Sequence, residues 1–232
     1  MKLLAIDTSS LACSVALGVD GTVYERHEEL ARAHTRLLMP MIRDVLADGG
    51  LATEQLDAIV LGNGPGSFIG MRIAASVAQG LAHGAELDIV PVSSLAAVAA
   101  QAFEDSDVTE VVVAQDAHMS EVYLGAFCRG PGNELAEIFP ERLQTQTLIE
   151  ELTPALAASR VAAGFGWERY PDFLAANAEV IGNCSSVQHP RARFLLPLGE
   201  TALAKGVAIS PQDLVPAYLR SKVAQIPATK EP

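Results

Sequence analysis

The 232-residue chain is short of aromatic residues, at 5%, and has one tryptophan. Cysteine is scarce too. Cys13, Cys128 and Cys184 are odd in number, widely spaced and free of any Cys-x-x-Cys pair. They read as small buried residues in a reducing cytosol. Long apolar runs are missing, and none approaches the roughly 20 residues a bilayer-spanning helix needs. The opening Met1-Lys-Leu-Leu-Ala-Ile-Asp7 reaches a charge too early for a signal peptide. Basic residues are few: 16 Lys plus Arg stand against 28 Asp plus Glu, a formal net charge of −12. Nucleic-acid binders carry a basic face because phosphate contacts supply most of their affinity. If this chain serves a nucleic acid, something else does the holding.

Familiar catalytic signatures are absent as well. Among His27, His34, His83, His118 and His189, no two stand three, four or five residues apart, so no helical zinc pair forms locally. There is no Walker phosphate loop and no Gly-x-Ser-x-Gly elbow, and Ser67 has no identifiable base.

What the chain has is apolar mass. Half of it is hydrophobic, enough for one large domain or two small lobes with a sizeable core. The organising stretch is Gly62-Asn-Gly-Pro-Gly-Ser67, set between the apolar run Ala58–Leu61 and a nearly uncharged segment reaching Ala82. It reads as strand, tight turn and helix, with Ser67 as N-cap and free amides forming an anion-friendly nest. An ordinary glycine turn capping a buried helix fits the same residues. Within that helix Gly70, Ala74, Ala78 and Ala82 form a stripe of small side chains, which lets another helix approach closely. The bulkier Ile73, Val77 and Leu81 suit packing on a sheet.

Upstream, Lys2–Asp7, Ala12–Gly18 and Thr22–Leu30 read as an antiparallel meander with a hairpin turn at Asp20-Gly21. Asp7, Thr8 and Ser9 sit at its first bend, where actin-like phosphotransferases handle metal and nucleotide phosphate. Local capping of the turn explains them equally. His34–Ala47 reads as an amphipathic helix bent at Pro40, with Leu37, Leu38, Met41, Ile42, Val45 and Leu46 on its apolar side, serving as core or shared with another chain. Ser93 or Ser94 caps an Ala-rich helix to Phe103, and the polar run Glu104–Glu110 marks a lobe boundary. Beyond it, Val111–Asp116, a turn at Ala117–Ser120 and the strand Glu121–Phe127 echo the start of the chain. Further on, the pattern predicts a turn over Arg129–Asn133, a strand over Glu134–Leu143 and a helix over Thr147–Ser159. It also predicts a strand from Val161, a helix over Pro190–Lys205 and an extended tail from Pro216. Asp7 and Asp116 together could hold a metal or phosphate, and vestigial positions explain them better.

Five motifs then occur in order: Ile6-Asp-Thr-Ser9, His34-Thr-Arg-Leu-Leu-Met-Pro-Met-Ile42, Gly64-Pro-Gly-Ser-Phe-x-Gly-x-Arg-Ile73, Asp116-Ala-x-x-x-Glu-Val-Tyr123 and Pro216-x-Tyr-Leu-Arg220. Together they resemble the TsaB (YeaZ) family of bacterial tRNA threonylcarbamoyladenosine biosynthesis subunits, over residues 1 to about 223. The resemblance implies an α/β, actin-like/Hsp70-like ATPase (ASKHA) fold of two related lobes, each a mixed sheet flanked by helices. The lobes would be residues 1–105 and 106–232, with the last segment packing back on the first.

The resemblance also implies a subunit without catalytic residues or a metal of its own, paired with the catalytic paralogue TsaD. TsaE, an ATPase, joins the pair, and TsaC makes the threonylcarbamoyl-adenylate donor. In isolation a homodimer forms, tRNA is met only through the complex, and ADP or ATP belongs to the shared interface. The implied partner surface is His34, Leu37, Leu38, Met41, Val45, Ser67, Gly70, Met71, Ala74 and Ala78. Asp7, Thr8, Ser9 and Asp116 are the vestigial phosphate-handling positions. Where the paralogue has a metal His-x-x-x-His pair, this chain has Ser94 and Val98. It departs from its relatives at Ile69, where Thr is usual, and at His118 and Ser120, where Arg and Gly are common. A phosphotransferase of this fold would need metal–nucleotide at the Asp7 hairpin, and a metallopeptidase would need the missing histidines.

Overall fold

A computed structural model of the protein describes residues 1–130 and 134–220. The first part of the chain forms β1 (Lys2–Asp7), β2 (Ala12–Val19), β3 (Thr22–Glu29), α1 (His34–Asp48), β4 (Ala58–Gly62), α2 (Phe68–Ala85), β5 (Ile89–Val92) and α3 (Ser94–Glu104). The rest forms β6 (Glu110–Asp116), β7 (Glu121–Arg129), β8 (Leu135–Thr145), β9 (Arg160–Ala163), α4 (Phe165–Arg169), α5 (Pro171–Ala176), β10 (Asn183–Cys184) and α6 (Leu195–Ala204).

The described residues form two five-stranded sheets, ordered β3-β2-β1-β4-β5 and β10-β9-β6-β7-β8. In the first, β1 pairs antiparallel with β2 and parallel with β4. In the second, β6 pairs antiparallel with β7 and parallel with β9. The second sheet therefore repeats the first strand for strand, which is the echo read in the sequence. The Asp20-Gly21 hairpin closes Val19 onto Thr22, with both turn residues at positive φ as a twisted two-residue turn requires.

On one face of the first sheet, Leu4, Ile6, Val15 and Leu17 pack with Leu38, Ile42, Val45, Ala74 and Ala78 from α1 and α2. On the other, Leu3, Ala5, Val60 and Val90 pack with Ala97 of α3, with Ala192 just before α6 and with Leu195 and Leu196 at its start. Helix α3 also gives Leu95, Val98, Ala99 and Ala102 to a core with Val111, Val113 and Phe127 of the second sheet. It stands between the two sheets and belongs to both.

Several expectations need correction. Thr147–Ser159 is not an α-helix; only Pro154–Ser159 is helical, as a 3₁₀ segment. Asn177 captures the start of that stretch instead, accepting from Ile149 N and donating to Thr147 O, the carbonyl that would have begun an α-helical ladder. The helix expected from Pro190 is split into a 3₁₀ turn at Ala192–Phe194 and α6. Only Cys13 is buried; Cys128 is half-buried, and Cys184 is exposed because it lies on the two-residue edge strand. The turn expected over Arg129–Asn133 and the extended tail expected from Pro216 fall partly outside the described residues.

Candidate functional site

Helices α1 and α2 lie side by side, and the small-residue stripe of α2 looks inward. Ala74, Ala78 and Ala82 are fully buried against the sheet. Gly70 approaches the β1–β2 bend so closely that a Cβ there would meet Thr8 O at 1.9 Å. Thr8 Oγ1 donates to Gly70 O at 2.7 Å across the same junction. Small residues serve this helix–sheet contact, not a helix from another chain. From α1, Leu38, Met41 and Val45 also belong to the core, at 1%, 6% and 0% exposure. His34 is buried, with Nε2 bonded to Ser10 O at 3.0 Å, and Met71 is buried too. Of the residues expected at a partner surface, only Leu37 and Ser67 are partly exposed, and Ser67 caps α2 through Gly70 N.

The outward face is a different set. An open groove of about 410 Å³ runs between the helices, lined by Thr35, Met39, Phe68, Ile69, Ile73 and Val77 with the edge of Leu38. Ile69 is 69% exposed and Phe68 43%. Ile73 and Val77, expected to pack on the sheet, are half-buried against the first core and also line the groove. The regular spacing gave the right two stripes, but periodicity cannot say which one meets the sheet.

The Asp7 bend is closed from within. Asp7 Oδ1 accepts from Ser9 N and Ser9 Oγ, each at 2.8 Å, and Oδ2 accepts from Ser94 Oγ at 2.6 Å. Ser94 Oγ in turn accepts from Gly64 N at 3.1 Å. The glycine loop lies flat on the bend, with Ser67 N donating to Ser9 O at 2.6 Å. A Cβ on Gly66 would sit 2.2 Å from Ser9 O, so only glycine permits this approach. Asp7 is 1% exposed and both its oxygens are engaged. The residues present do not fit a metal–nucleotide held by this chain alone.

Burial pushes the Asp7 carboxyl up from 3.8 to about 6, against hydrogen bonds from Ser94 and Ser9. The folded chain then holds a proton that the unfolded chain has lost, so Asp7 costs stability as pH rises from about 4 to about 6, and fully above that. Asp7→Asn is therefore expected to match the wild type near pH 4. It should gain on it through pH 6, by on the order of 2–3 kcal/mol at pH 8. Urea unfolding at several pH values checks this; a difference that does not vary with pH refutes it.

Asp116 is not joined to Asp7 in one cluster. Its Oδ1 accepts from His118 N at 2.8 Å and from Tyr170 Oη at 2.7 Å. Among the described residues no group of His, Cys, Asp and Glu is arranged to hold a metal. The turn after Asp116 puts His118, Met119 and Ser120 at φ of 60°, 53° and 59°. Left-handed backbone costs a non-glycine residue on the order of 1 kcal/mol, and three in a row are unusual.

Comparison with known proteins places this geometry. The profile of the family described as "TsaD: tRNA N6-adenosine threonylcarbamoyltransferase" matches residues 25–228. The chain is 37% identical to the tRNA threonylcarbamoyladenosine biosynthesis protein TsaB of Escherichia coli K12, over 97% of this chain and 96% of that one. It is 38% identical to the Haemophilus influenzae protein of the same name, over 96% and 95%. The chain belongs to the TsaB family. Among solved structures, YeaZ from Pseudomonas aeruginosa superposes with a TM-score of 0.86 at 35% identity, covering 94% of this chain and 99% of that one. A second Pseudomonas aeruginosa structure, of a protein described as similar to peptidase YEAZ, gives 0.87 at the same identity and coverage.

Membership of the TsaB family, with the paired mixed sheets, establishes the two-lobe ASKHA-type fold. Two positions singled out by the resemblance take structural roles. Ser94 bonds Asp7, and Val98 is fully buried in the core. No helix among the described residues is long and apolar enough to cross a membrane.

Proposed function

We propose that the protein works in tRNA threonylcarbamoyladenosine biosynthesis as a cytoplasmic, non-catalytic subunit that binds and activates TsaD. The observation that carries this reading is the unpartnered apolar groove between α1 and α2, where Ile69 and Phe68 stand exposed. An exposed apolar patch of this kind marks a protein interaction site. The closed Asp7 bend supports the non-catalytic half, because a carboxylate with every oxygen engaged is not free to bind metal or move a proton. A second copy can use the same groove when TsaD is absent, so the homodimer and the heterodimer compete for one face. TsaE joins the pair, and ADP or ATP sits between subunits. The net charge of −12 leaves the tRNA to the assembly.

The test is reconstitution with TsaD, TsaE, TsaC, threonine, bicarbonate, ATP and unmodified tRNA. Omitting this chain is expected to abolish modification, and the chain alone is expected to turn over neither ATP nor peptide. Full modification without it would overturn the assignment.

A further inference from the structure

The stretch Val215–Arg220 passes from one lobe to the other without regular secondary structure. At the first lobe it pairs with the glycine loop. Asn63 Nδ2 donates to Val215 O at 3.1 Å, and Ala217 N donates to Asn63 O at 3.3 Å. The Tyr218 ring lies 5.9 Å from Phe68, and the Arg72 guanidinium stacks on both, 3.3 Å from the Phe68 ring and 4.8 Å from Tyr218. Asn63, Phe68 and Arg72 flank the start of α2.

At the second lobe the crossing ends on Arg220. Its guanidinium donates to Ala117 O at 2.9 Å and His118 O at 3.3 Å, and pairs with Glu121 at 2.6 Å. The Arg220 side chain is only 14% exposed in that pair. An exposed ion pair contributes little, whereas a shielded fork that also engages two carbonyls fixes the geometry of what it holds. What it holds is the left-handed run His118–Ser120. Such backbone persists only where its surroundings over-determine it. Arg220 contributes from the far side of the turn, while Asp116 holds His118 N from within. Beneath the crossing lies a cavity of about 100 Å³ bordered by Ser67, Met71, Asp116, Tyr123 and Tyr218.

We propose that Val215–Arg220 is a strap that locks the two lobes together, with Arg220 as the positioning residue that holds the left-handed turn facing the start of α2. The strap has one anchor in each lobe, so releasing either end loosens the other. Tyr218 packs on Phe68, and Phe68 lines the α1–α2 groove, so a partner seated in the groove closes the strap. That last step rests on the subunit reading above; the lock itself does not.

Amide hydrogen exchange on the full chain tests the lock with no partner present. Arg220→Ala is expected to speed exchange about tenfold at His118 and Glu121 in the turn. The same gain is expected at Ala217, whose amide is bonded to the first lobe, while the centres of β1 and β6 keep their protection. Arg220→Lys should behave nearly as Arg220→Ala, since one ammonium cannot serve two carbonyls and a carboxylate. Asn63→Ala attacks the other anchor and is expected to speed the turn amides. Unchanged exchange at Ala217 in Arg220→Ala, or at the turn in Asn63→Ala, overturns the lock, as does a uniform rise across the chain. Adding TsaD is then expected to slow exchange at Ala217. Binding without that protection refutes the coupling, and no binding refutes the subunit reading while leaving the lock standing.

Discussion

Replacing Ile69 and Ile73 together by glutamate is expected to weaken pairing with TsaD at least a hundredfold while the isolated chain stays folded. Both side chains line the open groove, and Ile69 is 69% exposed in the free protein. Burying an aliphatic side chain of this size against a partner contributes roughly 1.5–3 kcal/mol. Losing two such contacts, and burying carboxylates in their place, exceeds the about 2.7 kcal/mol that a hundredfold change represents. At position 69 the glutamate remains in water, whereas Ile73 is half-buried against the first core, so its replacement costs the free chain some stability without emptying that core. Leu38→Asp and Ala74→Arg look equivalent in the sequence but cannot test the interface. These residues are 1% and 0% exposed in the chain's own core, and either change buries a charge and unfolds the protein. Titration calorimetry with TsaD, beside circular dichroism of the free variant, decides the matter. Wild-type affinity in the folded double variant would move the partner face elsewhere.

The second large effect is on stability. Arg160 is 2% exposed on β9, directly across from Glu110 on β6. Its Nε and Nη2 donate to the Glu110 carboxylate, and Nη1 donates to Thr153 O at 3.2 Å and Val180 O at 2.7 Å. One side chain thus ties together two strands, the 3₁₀ segment and the loop before β10. Arg160→Met strands a shielded carboxylate and two carbonyls, a loss of about 3–5 kcal/mol. For a chain of this length that lowers the melting temperature by on the order of 10 °C. Adding Glu110→Leu should restore much of the loss, since an apolar pair of similar volume replaces a buried ion pair at little cost. Scanning calorimetry of both variants measures it. A single variant melting within a degree or two of wild type would show that Arg160 carries no such load.

Legibility in the sequence followed the range of the forces involved. The strands of the first sheet, the Asp20-Gly21 hairpin and the Ser67 cap were readable because near neighbours fix them. The echo of β1–β2 in β6–β7 was readable for the same reason. The stretch after Trp167 was not. There Trp167 Nε1 donates to Val112 O at 3.1 Å and its ring stacks on Phe173 at 4.6 Å, so α4 and α5 are held from a distance. Thr147–Ser159 looked helical by composition, and Asn177, some thirty residues away in the chain, decided otherwise. At the candidate site, sequence located the right two helices and the right two stripes on α2. Orientation was lost because the close approach of Gly70 to Thr8 O is a fact of three dimensions. Arg220 was visible only as part of a motif; its partners Ala117, His118 and Glu121 lie about a hundred residues upstream.

The placement of α6 has a consequence for synthesis on the ribosome. Leu195 and Leu196 cover Leu3, Ala5, Val60 and Val90, and Ile209 bridges to Ile89 at the edge of the first sheet. When β1 to β5 have left the exit tunnel, one apolar face of that sheet still lacks its full cover, because α6 follows β5 by about a hundred residues, after every strand of the second sheet. The first lobe therefore cannot mature vectorially ahead of the second. Its completion waits until the strands of the second lobe have been made, and over that interval the nascent chain is a natural client for holdase chaperones.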